Sequence, residues 1–101
     1  MEDKKLRERA EEVIGHVTSY VVAHISVIMD IESEEIGPDS SLLELVNHDK
    51  DKALLILLML EKKFGIEAPI ERNAFIEKFQ ILEELCDFFI CSILEKEGLA
   101  D

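Results

Sequence analysis

The stretch Asp49-Lys-Asp-Lys-Ala-Leu-Leu-Ile-Leu-Leu-Met-Leu-Glu-Lys-Lys-Phe64-Gly65 decides how this chain folds. It opens on an aspartate, whose carboxylate can accept hydrogen bonds from the free amides of a helix start. It closes on a glycine suited to the left-handed residue that stops a helix, and Pro69 shortly afterwards keeps the helix from resuming. Between them lies the longest unbroken apolar run of the sequence, Ala53 to Leu60, eight residues. That run is far short of the roughly 20 residues that span a bilayer. The stretch therefore predicts a helix from about Asp49 to Phe64, capped at both ends.

Upstream, residues 32–47 contain Gly37-Pro38-Asp39-Ser40-Ser41, which is turn chemistry and predicts a long loop. Ser41 with Glu44 matches a capping box and permits a brief helical turn inside that loop. Before it, Leu6, Ala10, Val13, Val17, Tyr20, Val21, His24 and Ile28 recur at helical spacing and mark one face of a long first helix. Gly15 is a point where that helix can bend or split, since glycine costs about 1 kcal/mol against alanine there. Downstream, a short third helix is expected at Asn73 to Glu77 with Asn73 as its cap. A fourth follows at Ile81 to Lys96, burying Leu82, Leu85, Cys86, Phe89 and Ile93 and ended by Gly98. No strand alternation stands out. The expected class is all-α: a four-helix bundle of three longer helices and a short third one, with a long loop between helices one and two. Residues 1–16 read as an N-terminal helical extension, 17–97 as the domain and 98–101 as a tail.

At 101 residues the chain has room for one domain and one modest core. Its net charge of −12 argues against nucleic acid and against anionic membrane surfaces, and makes basic partner proteins the natural counterpart. The opening residues Met1 to Leu6 carry no apolar signal segment, so a cytoplasmic protein without a membrane span is expected. Cys86 and Cys91 lie five apart in the fourth helix, so their side chains diverge by about 140°. Reduced thiols, one of them in the core, are expected.

Chemistry-bearing patterns are sparse. Asn47, Asp49 and Asp51 alternate like the opening of a calcium loop, but the required glycine and glutamate positions hold Lys52 and Leu58. His16 and His24 are eight residues apart on one helix, about 12 Å along its axis, too far for one zinc ion. His24 reads as a satisfied core histidine. Glu34-Glu35 and Glu83-Glu84 read as solvated faces. No metal site, phosphate loop or catalytic grouping is expected, and hence no enzyme.

Three stretches carry a likeness from Val17 onward. One is Asp30-Ile-Glu-Ser-Glu-Glu-Ile-Gly-Pro-Asp-Ser-Ser-Leu-Leu-Glu-Leu45. The next is Leu57-Leu-Met-Leu-Glu-Lys-Lys-Phe-Gly-Ile-Glu-Ala-Pro69. The last is Phe75-Ile-Glu-Lys-Phe-Gln-Ile-Leu-Glu-Glu-Leu-Cys-Asp-Phe-Phe89. In order and spacing these resemble the acyl carrier protein family. The second is similar to the family's Leu-Glu-x-x-Phe-Gly-Ile-x-Ile-Pro ending of helix two. The resemblance implies a serine, preceded by aspartate, at the start of helix two, carrying 4′-phosphopantetheine through its hydroxyl. Fourteen residues before Phe64, in register with the family, stands Lys50, preceded by Asp49 and followed by Asp51. A lysine amine has no hydroxyl for the phosphodiester, so no cofactor is expected.

Two alternatives stay open. Ser40 and Ser41 follow Asp39 and precede Leu42-Leu43, an echo of the missing motif, and a carrier modified at Ser40 or Ser41 is the runner-up reading. A generic helical adaptor without any link to acyl chemistry is the other. The resemblance implies that helix two shows a row of acids to partner enzymes; here Lys52, Leu55, Leu58, Met59 and Lys62 stand on that side. A helix apolar all round must be covered on all sides. The cover is either residues 2–15 folding across it, a wider core, or an interface with a protein partner or a second copy. The leading expectation is a non-catalytic interaction module, tied by the resemblance to acyl, fatty-acid or polyketide metabolism.

Overall fold

A computed structural model of the protein describes residues 2–68 and 74–98, with the backbone alone for Glu2, Asp3 and Ile76. The expected roles of Pro69 and Asn73 fall outside the described residues. The chain is an all-α bundle. Helix α1 spans Glu2–Met29, α2 Leu42–Leu45, α3 Lys50–Phe64, α4 Phe75–Lys78 and α5 Leu82–Lys96, with a 3-10 turn at Ser33–Glu35. The long helices α1, α3 and α5 with the short α4 are the four expected helices. The turn α2 is the one that Ser41 permits: its hydroxyl oxygen accepts from the Glu44 amide at 3.3 Å.

α1 runs unbroken through Gly15 and through the boundary drawn between residues 16 and 17. Gly15 lies exposed with open space beyond it. Its propensity cost of about 1 kcal/mol is outweighed by the buried stripe Val13, Val17, Val21 and Ile25, each at most 4% exposed. A four-residue spacing advances about 40° per step around a 3.6-residue helix. The stripe therefore drifts, which brings Ile25 into the core and leaves His24 half-buried and Leu6 40% exposed, where the sequence reading had put both on the inner face. His24 is satisfied locally, its Nδ1 lying 2.8 Å from the Tyr20 carbonyl oxygen.

Residues 13–29 of α1 contain no Asp, Glu, Lys or Arg. By length and composition α1 is apolar enough to cross a membrane, with a mean hydropathy of 1.4 over its most apolar window. Counting only uninterrupted apolar runs overlooks this, because His, Thr and Ser break the run without adding charge. A core helix has the same composition, and one stripe of α1 is buried between α3 and α5.

The non-helical chain is held by a two-residue clip. Ser41 and Ile81 form an isolated antiparallel bridge. The Leu42 amide donates to the Gln80 carbonyl at 2.9 Å and the Leu82 amide to the Ser40 carbonyl at 3.0 Å. The Glu83 amide donates to the Pro38 carbonyl, also at 3.0 Å. Glu84, expected as a solvated acid, turns back to accept from the Gln80 and Ile81 amides at 3.1 and 3.2 Å, supplying the acceptor that the apolar Ile81 lacks.

α1 and α5 form the most extensive helix pair, and α3 lies against both. Phe89 and Leu85 of α5 are fully buried with Val17 and Val21. Ile90, not among the residues expected to be buried, is 7% exposed and belongs to the core, whereas Ile93, expected there, is only half-buried. Cys86 is buried and Cys91 exposed, and both are free thiols. Burial first, then the charges of Asp87 and Glu83, push the Cys86 thiol up to about 11. At the far end of α1, Arg9 donates to both Glu97 carboxylate oxygens, at 2.8 and 2.7 Å, which draws the Glu97 carboxyl below its usual range.

The same substitution at two glycines is expected to act with opposite sign. Gly15→Ala, in an exposed helix interior, should raise stability by about 0.5–1 kcal/mol. Gly65→Ala should lower it by about 1 kcal/mol, because φ there is +66° and an alanine Cβ meets only ordinary contact with Lys96. Urea unfolding of the two variants beside wild type checks both signs.

Candidate functional site

The head of α3 is built by a tight reversal. Val46 ends α2, and Asn47 and His48 follow with φ of 54° and 61°, two consecutive left-handed residues without a glycine. Asparagine and histidine are among the residues that tolerate this region best. Their amides are satisfied by the carbonyls of Glu44 (3.0 Å) and Leu43 (2.8 Å), and that of Asp49 by Val46 (3.0 Å). The reversal delivers Asp49 in extended conformation, with Oδ1 accepting from the Asp51 amide at 3.0 Å and the Lys52 amide at 3.3 Å. This is the cap predicted from sequence, and it commits that carboxylate oxygen to the helix start.

Lys50 is thus the first residue of α3 and is exposed, with Asp51 and Lys52 exposed after it. A cation at a helix N-terminus is unfavourable by several tenths of a kcal/mol; the acids on either side offset it. Ser40 and Ser41 lie at the clip, both half-buried. The Ser40 hydroxyl oxygen accepts from the Gly37 amide at 2.9 Å, and that of Ser41 caps α2.

Along α3, Ala53, Ile56, Leu57 and Leu60 are buried. Opposite them the side chains expected at an interface divide. Lys52, Leu55 and Lys62 are exposed, Leu55 at 46%, while Leu58 and Met59 are half-buried. The outer side of α3 is therefore an apolar centre with a lysine at each end.

The residues behind the Leu-Glu-x-x-Phe-Gly likeness each have a structural task. Leu60 is 1% exposed. Glu61, whose task the sequence did not announce, accepts from the Ala68 amide at 2.7 Å and holds the chain that leaves α3. Phe64 meets the rings of His16, Tyr20 and Phe89 at centroid distances of 5.7, 5.6 and 6.2 Å. Gly65 takes the left-handed cap. Among the described residues no group of three or more His, Cys, Asp or Glu is placed to hold a metal ion.

Replacing Asp49 by Ala leaves the first amides of α3 without their acceptor. The expected loss is about 1 kcal/mol of stability, read from denaturant midpoints, together with faster amide exchange at Asp51 and Lys52.

No family model matches this chain. No solved structure matches it either. In sequence it is similar to the acyl carrier protein of Thermosynechococcus vestitus, 29% identical over 77 residues, an alignment covering 76% of this chain and 86% of that protein. The chain is thus acyl-carrier-protein-like in sequence, with an all-α bundle whose order of long helix, long loop, helix, short helix and helix is the one the resemblance implies.

Proposed function

We propose that this chain is an acyl-carrier-like protein that does not carry 4′-phosphopantetheine and acts as a non-catalytic interaction module through the outer side of α3. The observation that carries this reading is Lys50 at the first position of α3, directly after the capping Asp49. In register with the family, that position requires a hydroxyl. The residues at the head of α3 do not fit the group, since an ammonium cannot form the phosphodiester and Asp49 already serves the helix start. Among the nearby serines, Ser40 and Ser41 serve a turn and a cap.

The outer side of α3 supports the second half of the proposal. Leu55 is 46% exposed between Lys52 and Lys62, and an exposed apolar centre with a polar rim is the usual composition of a protein interface. Met59 adds a flexible side chain suited to an adaptable contact. The likeness to an acyl carrier protein supports a partner among the enzymes of acyl assembly.

Incubation with a promiscuous phosphopantetheinyl transferase and coenzyme A, followed by intact-mass measurement, is expected to leave the wild type unchanged. A gain of one pantetheine arm, on Ser40, Ser41 or elsewhere, overturns the proposal. The double variant Lys50→Ser with Asp51→Leu restores the Asp-Ser-Leu that the family carries at this position and is expected to accept the arm.

For the interface, wild type is expected to self-associate in sedimentation or to bind a hydrophobic dye. Leu55→Glu with Met59→Lys should abolish either behaviour. A wild type that stays monomeric and binds no dye removes the exposed-patch argument.

A further inference from the structure

A second surface lies away from α3, between α1 and α5. Ile14, Thr18 and Val22 of α1 run at four-residue spacing beside Leu82, Cys86 and Ile90 of α5, also at four-residue spacing, and the loop at Ile36–Pro38 closes the trough. The cavity between them holds 320 Å³. Leu82, Cys86, Ile90 and Ile36 are buried and form its floor, while Ile14, Thr18 and Pro38 are exposed along its rim. Each stripe covers nine residues, eight steps or about 12 Å of helix, which matches two turns of a third helix laid along the trough.

The chemistry of its walls is one-sided. The chain is 34% charged, yet the α1 wall falls within residues 13–29, which carry no charge, and Ile14 is 47% exposed. The loop wall contributes Ile36, Gly37 and Pro38, again uncharged. Among the described residues the charges on the lining come from α5 alone, Glu83 and Asp87, four residues apart along one edge and both exposed, and no described Lys or Arg lines the trough. An apolar floor with a carboxylate edge calls for an apolar stripe flanked by cations.

We infer that the trough between α1 and α5 is a docking site for an amphipathic helix of another protein, its apolar residues at i, i+3 or i+4, and i+7, with Lys or Arg beside them to meet Glu83 and Asp87. A second copy of this chain is a poor occupant. It brings another net charge of −12 and, among the lining residues, offers no cation to meet Glu83 and Asp87. The site shares no residue with the outer side of α3, so it stands whether or not that side binds anything.

The probe is a fluorescein-labelled peptide with leucines at i, i+3, i+4 and i+7 and lysines at the flanking positions. Its controls are the same residues rearranged so that the leucines scatter around the helix, and a leucine–glutamate version. Anisotropy at physiological salt is expected to show saturable binding of the first peptide alone. Ile14→Glu and, separately, Glu83→Lys with Asp87→Lys should each weaken it by at least about tenfold. Leu55→Glu on α3 should leave it unchanged. All the substituted positions are solvent-accessible, and circular dichroism confirms that each variant keeps its helices. Equal binding of the rearranged peptide, unchanged affinity in the trough variants, or no saturable binding overturns the inference. So does a wild-type dimer that Ile14→Glu dissociates.

Discussion

The bridge between Ser41 and Ile81 is the constraint on which the rest of the bundle depends. A long connection between α1 and α3 must cross the mouth of the bundle with its backbone polar groups satisfied. Here it borrows partners from the link before α5. The exchange between Ser40–Leu42 and Gln80–Leu82 fixes two irregular segments at once. It seats Leu42, fully buried, and Leu82, 2% exposed, in the same core. Because α2 begins at Leu42, the bridge also sets where Val46, Asn47 and His48 reverse the chain. The orientation of Asp49 and Lys50 at the head of α3 thus follows from two backbone hydrogen bonds on the other side of the loop.

From that anchored head α3 descends with one side in the core and the other outward. Its lower end is locked by Phe64, whose ring joins α1 through His16 and Tyr20 and α5 through Phe89. Lys63 Nζ lies 5.7 Å from the centre of the Tyr20 ring, a further tie between α3 and α1. With both ends fixed, α3 has little freedom to roll and bury Leu55. An apolar residue left outside by such geometry is a surface property of the folded chain, not a result of loose packing.

Much of this was legible in the sequence where a signal is local. The Asp49 cap, the Gly65 stop, the Ser41 turn and Leu82, Leu85, Cys86 and Phe89 of the α5 stripe all follow from neighbours within one or two helical turns. The inner face of α1 was only partly legible, because a four-residue spacing drifts and exchanges His24 for Ile25. The pairing of Ser41 with Ile81 and of Arg9 with Glu97 joins residues far apart in the chain and leaves no periodic trace. Glu61 and Glu84 looked like ordinary surface acids, since nothing in a lone glutamate tells which amide it will turn back to meet. At the head of α3, both the identity of Lys50 and its place directly after the capping Asp49 are local signals, whereas the reversal through Asn47 and His48 that delivers them is not.

The ion pair between Arg9 and Glu97 has a geometric consequence. It brings the early turns of α1 and the last turn of α5 side by side, near where α3 finishes. The pair therefore lies at the opposite end of α3 from Asp49 and Lys50. A tether, dye or resin attached at residue 97 would hold the molecule by its base, leaving Asp49, Lys50 and the mouth of the bundle turned toward whatever approaches.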